Sequence, residues 1–298
     1  QLAQTLDIVV ETAADLGVPI GDGLRAMLDT QSVSFSGGTI SLHDEAGVPL
    51  GGLGVGSTRL LVAGLQRRAA AHSTVVLVDE VEHGLEPHRI IRFLGSLGAK
   101  EAQAPLQVFA TTHSPVTLRE LSGDQLFIVR SLGEKHVVRA VGTENEFQGT
   151  IRTYPEAFLA KSVIVCEGAS EVGFVRGIDQ YRVAKETVAI GAHGVALIDG
   201  KGSSPDVLVA RAMAFRTLGY RVAVLRDSDV PASAAADAAF LDAGGAIVSW
   251  SHGRALEDEL FLGLTESAVH ALLNRAIELH GRDLIDEHIK SVSQNATD

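Results

Sequence analysis

The 298-residue sequence holds a single cysteine, Cys166. One thiol closes no intramolecular disulfide, so no disulfide framework braces the chain. Its place in an apolar run suits a small core residue in a reducing compartment, and the expected location is the cytoplasm. Long apolar runs are missing too: none approaches the roughly 18–20 residues that a membrane-spanning helix needs, and no membrane partner is expected. Residues 1–30 mix Asp, Glu and Arg through their apolar positions, unlike a secretory signal. Positive charge is in short supply, with 25 Lys and Arg against 37 Asp and Glu and a net charge of −12. That balance disfavours a polyanionic partner such as nucleic acid. It disfavours it less where carboxylates are gathered around metal ions whose charge cancels theirs, or where a missing segment or partner subunit supplies a basic groove. The sequence opens on Gln1 rather than Met, as a piece of a longer chain would.

What is present is the composition of a soluble globular protein, 46% hydrophobic and 21% charged, without a low-complexity run or internal repeat. At roughly 100–200 residues per domain, two domains are expected. Short β-branched runs alternate with longer helical patterns, which predicts an α/β fold with parallel sheet covered by helices. The strands are expected at Thr74–Val78, Gln107–Ala110, Leu126–Val129, Ser162–Cys166, Val195–Ile198, Arg221–Leu225 and Ala246–Ser249. Helices are expected at Leu2–Leu16, Ser57–Ala71, His88–Leu97, Glu171–Gln180, Pro205–Leu218 and Leu256–Leu264. Glu266–His280 and Asp283–Ser291 form a C-terminal helical element, with Thr265 as an N-cap. Leu132–Tyr154 is more polar and reads as a connection, which places a domain boundary near Tyr154, between residues 1–154 and 155–298.

Three features of the first part bear on chemistry. Thr74–Glu80 reads TVVLVDE, a buried strand that sets Asp79 and Glu80 at the carboxyl edge of a parallel sheet, where ligands bind. In nucleotide hydrolysis such an Asp holds Mg²⁺ and the following Glu polarises the attacking water; capping of the strand by solvated acids is the plainer alternative. Ala110–Pro115, ATTHSP, is a second strand ending in a His. Leu50–Leu60, LGGLGVGSTRL, is a glycine-rich turn entering a helix, whose backbone N–H groups can meet a phosphate.

In this order and spacing, over about residues 45–130, the three elements resemble the ABC-type ATPase domain of the SMC and RecF-like group. The resemblance makes Gly54 and Gly56 part of the signature loop, Asp79 and Glu80 the Walker B pair, His113 the switch histidine, and Glu82–Pro87 the D-loop. It also implies a homodimer through this domain. Two departures qualify it: the signature lacks its usual serine, with Gly51 or Gly52 near its place, and no GxxxxGK[ST] phosphate loop occurs. ATP is therefore expected to be used by the full-length protein and not by residues 1–298 alone.

In the second part, Lys161–Glu171, KSVIVCEGASE, delivers Glu167 from an apolar strand, and Glu171 opens a helix one turn on. Arg221–Asp229, RVAVLRDSD, ends a strand in the pair Asp227 and Asp229. Hard oxygen ligands of this kind suit Mg²⁺ or Mn²⁺, whereas dispersed His and one Cys disfavour zinc. Ala255–Leu260, ALEDEL, adds a third acidic group at a helix start, where acids are also favoured by the helix dipole. Glu257 is the preferred ligand there, with Asp258 and Glu259 as competitors. Asp199–Ser204, DGKGSS, either meets substrate phosphate through Lys201 and backbone amides or is a plain turn. Ser228, between the two aspartates, is given no chemistry.

Over about residues 159–262 this arrangement resembles the Rossmann-like Toprim domain. An ABC ATPase followed by Toprim in one chain is similar to the OLD (overcoming lysogenization defect) nucleases. The resemblance implies a metal-dependent DNA endonuclease or exonuclease, in which Glu167, Glu171, Asp227, Asp229 and Glu257 hold two Mg²⁺ or Mn²⁺ ions flanking a scissile phosphodiester. Glu167 and Asp227 would be its catalytic centre. Family members place a C-terminal lysine against the developing charge, and after Lys201 the only lysine is Lys290. Phage defence or DNA repair is the implied setting. The alternative is an ATP-gated DNA-binding scaffold with an inert Toprim domain. A topoisomerase needs a nucleophilic tyrosine, and Tyr154, Tyr181 and Tyr220 lie in no such context; primases lack the ABC partner.

Overall fold

The computed structural model describes residues 2–20, 23–28, 40–69, 75–103, 106–143 and 145–292. The chain divides into two compact units between Leu159 and Ala160, a few residues beyond the boundary that composition suggests. Among the described residues no helix is long and apolar enough to cross a membrane.

The first unit opens with α1 (Leu2–Leu16) and an antiparallel pair, β1 (Leu24–Leu28) and β2 (Ile40–Asp44). A 3-10 turn at Leu50–Gly52 leads into α2 (Val55–Arg68), followed by β3 (Val75–Val78), α3 (Pro87–Ser96) and β4 (Gln107–Ala110). Strands β3 and β4 are parallel, with Val75 opposite Gln107 and Val78 opposite Ala110. The expected ends Thr74 and Ala71 lie outside the described residues. Val9, Ala13, Leu60, Val81, Ile90, Phe93 and Leu94 from the three helices and the β3–α3 loop form one buried cluster. Close approach of the first two helices depends on Gly64, where a Cβ would run into Thr12 and Leu16.

Beyond β4 come α4 (Pro115–Glu120), β5 (Phe127–Leu132), β6 (Lys135–Ala140), α5 (Asn145–Thr153) and α6 (Glu156–Leu159). The polar segment Leu132–Tyr154, read as the connection between two α/β units, carries regular structure of its own. Strands β5 and β6 form an antiparallel hairpin closed by Gly133 and Glu134, with Gly133 at φ 63°. That two-residue glycine turn is a recognisable hairpin signal. Helix α5 buries Phe147 and Ile151, a spacing of four that keeps both on one helix face. Polar residues around them masked the pattern.

The second unit is a doubly wound α/β layer: β7 (Ser162–Cys166), α7 (Ala169–Val183), β8 (Val195–Asp199), α8 (Pro205–Thr217), β9 (Arg221–Arg226), α9 (Ala234–Asp242) and β10 (Ala246–Ser249). All four strands are parallel, in the order β10-β9-β7-β8. Val163, Val165, Cys166, Ile198, Val224 and Leu225 bury the sheet under Leu208, Ala212, Phe215 and Phe240. Tyr220 is fully buried and packs edge-on against Phe215, with ring centroids 5.2 Å apart, a core role and not a nucleophile's. Three helices follow: α10 (Leu256–Gly263), α11 (Glu266–His280) and α12 (Arg282–Val292). Thr265 caps α11 by accepting from Ala268 N at 3.4 Å.

Candidate functional site

In the first unit, β3 and β4 carry Asp79 and Thr111 to the same sheet edge. The Thr111 hydroxyl donates to Asp79 Oδ1 at 2.5 Å and accepts from Glu80 N at 2.8 Å. Glu80 sits at φ 48°, a left-handed conformation that costs a non-glycine residue about 1–3 kcal/mol and persists only when neighbours fix it. Arg59, on α2, is one fixing neighbour. Its guanidinium donates to the carbonyls of Glu80, Asp79 and His83 at 2.7, 2.8 and 3.1 Å. Gly56 brings that helix onto the same turn, since a Cβ there would run into the carbonyl oxygen of Gly84. Gly54 is the N-cap of α2. The glycine loop and the acid pair therefore form one packed assembly.

His113 is anchored through its backbone. Its N–H donates to Glu82 Oε1 at 2.5 Å, while Thr112 donates to Glu82 Oε2 at 2.6 Å. Burial opposes ionisation of Glu82, but these two donors overcome it and hold its carboxyl below the usual glutamate range. Sequence reasoning placed Glu82 only as the start of the D-loop segment, with no anchoring role, and did not single out Arg59. A Glu two residues after the DE pair and an Arg one turn into the glycine-rich helix were the available signals.

In the second unit the order of strands reverses direction between β7 and β9, the topological switch point at whose carboxyl edge ligands bind in open α/β sheets. Glu167 follows β7 and Asp227 follows β9. They meet there: Asp227 N donates to Glu167 Oε2 at 2.8 Å. Asp227 Oδ1 accepts from Leu256 N at 3.0 Å, which ties the start of α10 to the same edge. Glu171 is buried at 3% exposure, and its Oε2 accepts from Gly168 N at 2.7 Å.

These carboxylates sense one another. Burial, then Glu171 and Glu167, push the Asp227 carboxyl up to about 6. Burial, with Glu171 and Asp229, also raises Glu167, against the Asp227 N–H and Arg226. Burial, then Glu171 and Asp199, the residue opposite Cys166 on β8, drive the Cys166 thiol up to about 12. An anionic pocket that resists full ionisation is one that a cation stabilises.

The all-oxygen donor set fits a hard divalent cation. Its convergence is incomplete: among the described residues no three His, Cys, Asp or Glu side chains are placed to hold one metal ion. The backbone explains this, because Glu167, Glu171 and Asp227 each give one oxygen to an N–H. The oxygens left over would have to be drawn together.

Of the third acidic group, Asp258 accepts from Ala255 N at 3.1 Å and Glu259 takes Arg254 at 3.2 Å with Ser251 N at 3.2 Å. Glu257 is exposed and is engaged in neither arrangement. Lys201 lies in a built loop. It adopts φ 58°, and its N–H donates to Asp199 Oδ1 at 2.7 Å, while Gly200 N and Gly202 N donate to the carbonyls of Cys166 and Glu167 at 2.8 and 2.9 Å. Lys290 is exposed in the last turn of α12, the helix that packs on α11. Ser228 is a clamp: its hydroxyl donates to the Ser251 carbonyl and accepts from Arg254 N at 3.2 Å.

Three neighbours of the pocket were missed from sequence. Arg226 is 7% exposed and pairs with Asp237 of α9 through two parallel contacts at 2.9 and 2.5 Å. Trp250 follows β10 beside the pocket. Helix α9 itself, absent from the expected elements, was signalled only by an alanine run behind the N-cap Ser233, which accepts from Ala236 N at 3.3 Å.

A family model described as "AAA domain, putative AbiEii toxin, Type IV TA system" matches residues 9–119, less than half of the chain. No curated protein matches it. The matched segment spans the glycine loop, the acid pair and His113, and the match supports an ATPase-type domain, a class that works on nucleotide together with Mg²⁺.

Proposed function

We propose that the chain joins part of an ABC-type ATPase to a Toprim-type unit that hydrolyses DNA phosphodiesters with Mg²⁺ or Mn²⁺, in the manner of the OLD nucleases. The observation that carries the reading is the meeting of Glu167 and Asp227 at the switch point between β7 and β9. Glu167, Asp227 and Asp229 would hold the cations at the sheet edge. Glu171 completes the set from the first turn of α7, and Glu257 from α10. When bound, such ions supply Lewis acidity for in-line displacement at phosphorus. The residues themselves hold anionic oxygens at a fixed edge, and the Asp199–Ser204 loop lies where a phosphate would approach. Lys290 is proposed as the cation facing the developing charge. Asp79, Glu80, His113, Gly54 and Gly56 serve ATP turnover in a homodimer of the full-length protein.

A second reading has a specific observation behind it. Because Glu167, Glu171 and Asp227 each already accept a backbone N–H, the unit would also suit an ATP-gated DNA-binding scaffold whose acids only brace the loops. Incubating the purified chain with supercoiled and linear plasmid in Mg²⁺ or Mn²⁺ separates the two. The nuclease reading expects nicking or degradation that EDTA stops and that Asp227→Asn reduces to background in a folded protein. Intact plasmid with both metals, or undiminished cutting by Asp227→Asn, would reject it.

A further inference from the structure

Trp250 is the only tryptophan in the chain. Strand β10 runs beside β9 with Ser249 opposite Arg226. The next residue on each strand is then Trp250 and Asp227, set side by side at the sheet edge. The indole is held in place by Phe174, one turn beyond Glu171 on α7; the two rings meet edge to face, 5.3 Å apart at 87°. Its Nε1–H is buried and, among the described residues, meets no acceptor in hydrogen-bond geometry.

Leaving such a donor unmatched forfeits its hydration without a replacement, and native proteins keep few of them. The carboxylate it faces is Asp227, which the indole already favours in its ionised form without reaching bonding geometry. Asp227 gives Oδ1 to Leu256 N, so its other oxygen is open to a second donor. The indole is thus a donor in waiting, fixed by an aromatic neighbour, beside the carboxylate central to the proposed cation site.

We propose that Trp250 is a positioning residue for Asp227: when a divalent cation draws that carboxylate into its ligand set, the indole N–H closes onto it and fixes its orientation. Metal ligands are routinely oriented by such outer donors, whose loss weakens metal affinity by about 10–100-fold. The inference rests on the cation-binding reading of this pocket, and it also makes the chain's single indole a direct reporter of occupancy.

The test titrates Mg²⁺ into the chain while following tryptophan emission, and separately follows Mn²⁺ binding through loss of the free-ion EPR signal. Emission is expected to change with Mg²⁺ in the wild type and to stay constant in Asp227→Asn. Trp250→Phe keeps the ring packing and removes the N–H, and it should weaken Mn²⁺ binding roughly tenfold at an unchanged thermal midpoint. In the Asp227→Asn background the same change should have no further effect, a coupling that a merely structural role would not produce. Should Trp250→Phe lose stability, the wild-type emission titration decides alone. Mn²⁺ binding that needs Asp227 but leaves both emission and the Trp250→Phe affinity unmoved would overturn the positioning role and spare the site. Absence of Asp227-dependent Mn²⁺ binding would overturn both.

Discussion

Removing the partner of Arg226 should damage the second unit more than any exposed charge change can. In the pair with Asp237 the side chains retain 9% and 24% of their exposure, and the contacts at 2.9 and 2.5 Å are bidentate. Such a fork is the strong form of the charge-assisted hydrogen bond. Asp237→Ala leaves the guanidinium in place without its counter-charge, a change that costs about 3–5 kcal/mol for buried pairs. In a unit spanning Ala160–Asp298 each kcal/mol moves the unfolding midpoint by about 3–4 °C, so a fall of roughly 10–20 °C is expected. The assay is calorimetry of the full chain, reading the transition that belongs to this unit. A second consequence is electrostatic. Arg226 already favours the ionised form of Glu167, and once released from Asp237 it competes with any cation for that carboxylate, so Mn²⁺ affinity should fall as well. Replacing both partners by apolar residues, Arg226→Met with Asp237→Leu, should recover most of the lost stability, because no uncompensated charge remains. A loss under about 1 kcal/mol in Asp237→Ala would show that water reaches the guanidinium and would refute the reasoning.

Other expectations are narrower. Gly56→Ala should destabilise the first unit by about 1–3 kcal/mol in chemical denaturation, because the new Cβ meets the backbone of Gly84 and not a side chain that can move aside; an unchanged midpoint would contradict the packed contact. Glu82, held below its ordinary value, contributes stability that is present above the unfolded glutamate pKa and lost as pH falls through the folded one. Wild-type stability should accordingly decline on acidification more steeply than that of Glu82→Gln, and parallel curves from pH 7 to pH 3 would exclude the anchoring role. Cys166 is fully buried with its thiol pushed up to about 12, so a maleimide should leave the native chain unlabelled and modify it once guanidinium unfolds it; rapid native labelling would place the β7 end at the surface.

The strands and helices that deliver the acids were legible because each is a local pattern. An apolar β-branched run punctuated by an acid announces both the strand and the carboxyl edge, and Ser162–Cys166 and Gln107–Ala110 form over the residues expected. Pairing is another matter. Nothing in the local pattern says that Glu167 and Asp227 become neighbours; that follows from strand order, which is a property of the whole sheet. Arg226 went unnoticed because an arginine at the end of an apolar strand reads as a solvated terminus, and only its distant partner on α9 makes it a buried charge. Trp250 was silent for the same reason, since its place beside Asp227 depends on the register of β10 against β9. Within the acidic stretch Glu257–Glu259 the sequence offered three equivalent acids, and the structure separates them by giving two to local partners.

The two acid-bearing edges are built on opposite principles. In the first unit Asp79, Glu80 and Glu82 are each held by a hydroxyl, a guanidinium or an N–H from another element, and a non-glycine residue is kept at positive φ by those contacts. Arg59 ties that turn directly to α2 through the carbonyls of Asp79, Glu80 and His83. In the second unit the pocket carries mutual repulsion, a carboxyl pushed up to about 6 and a buried indole N–H that finds no acceptor in bonding geometry among the described residues. In the proposed reading, positive charge arriving between Glu167 and Asp227 would relieve the repulsion, and the carboxylate it fixes would offer the indole its acceptor. Structural ion pairs elsewhere in the unit close their own accounts, as Arg226 does with Asp237. Under the proposed reading those deficits of charge and of hydrogen bonding are what a bound cation would complete, and bracing of the loops alone would leave them in place, so the Mn²⁺ titration decides between the two.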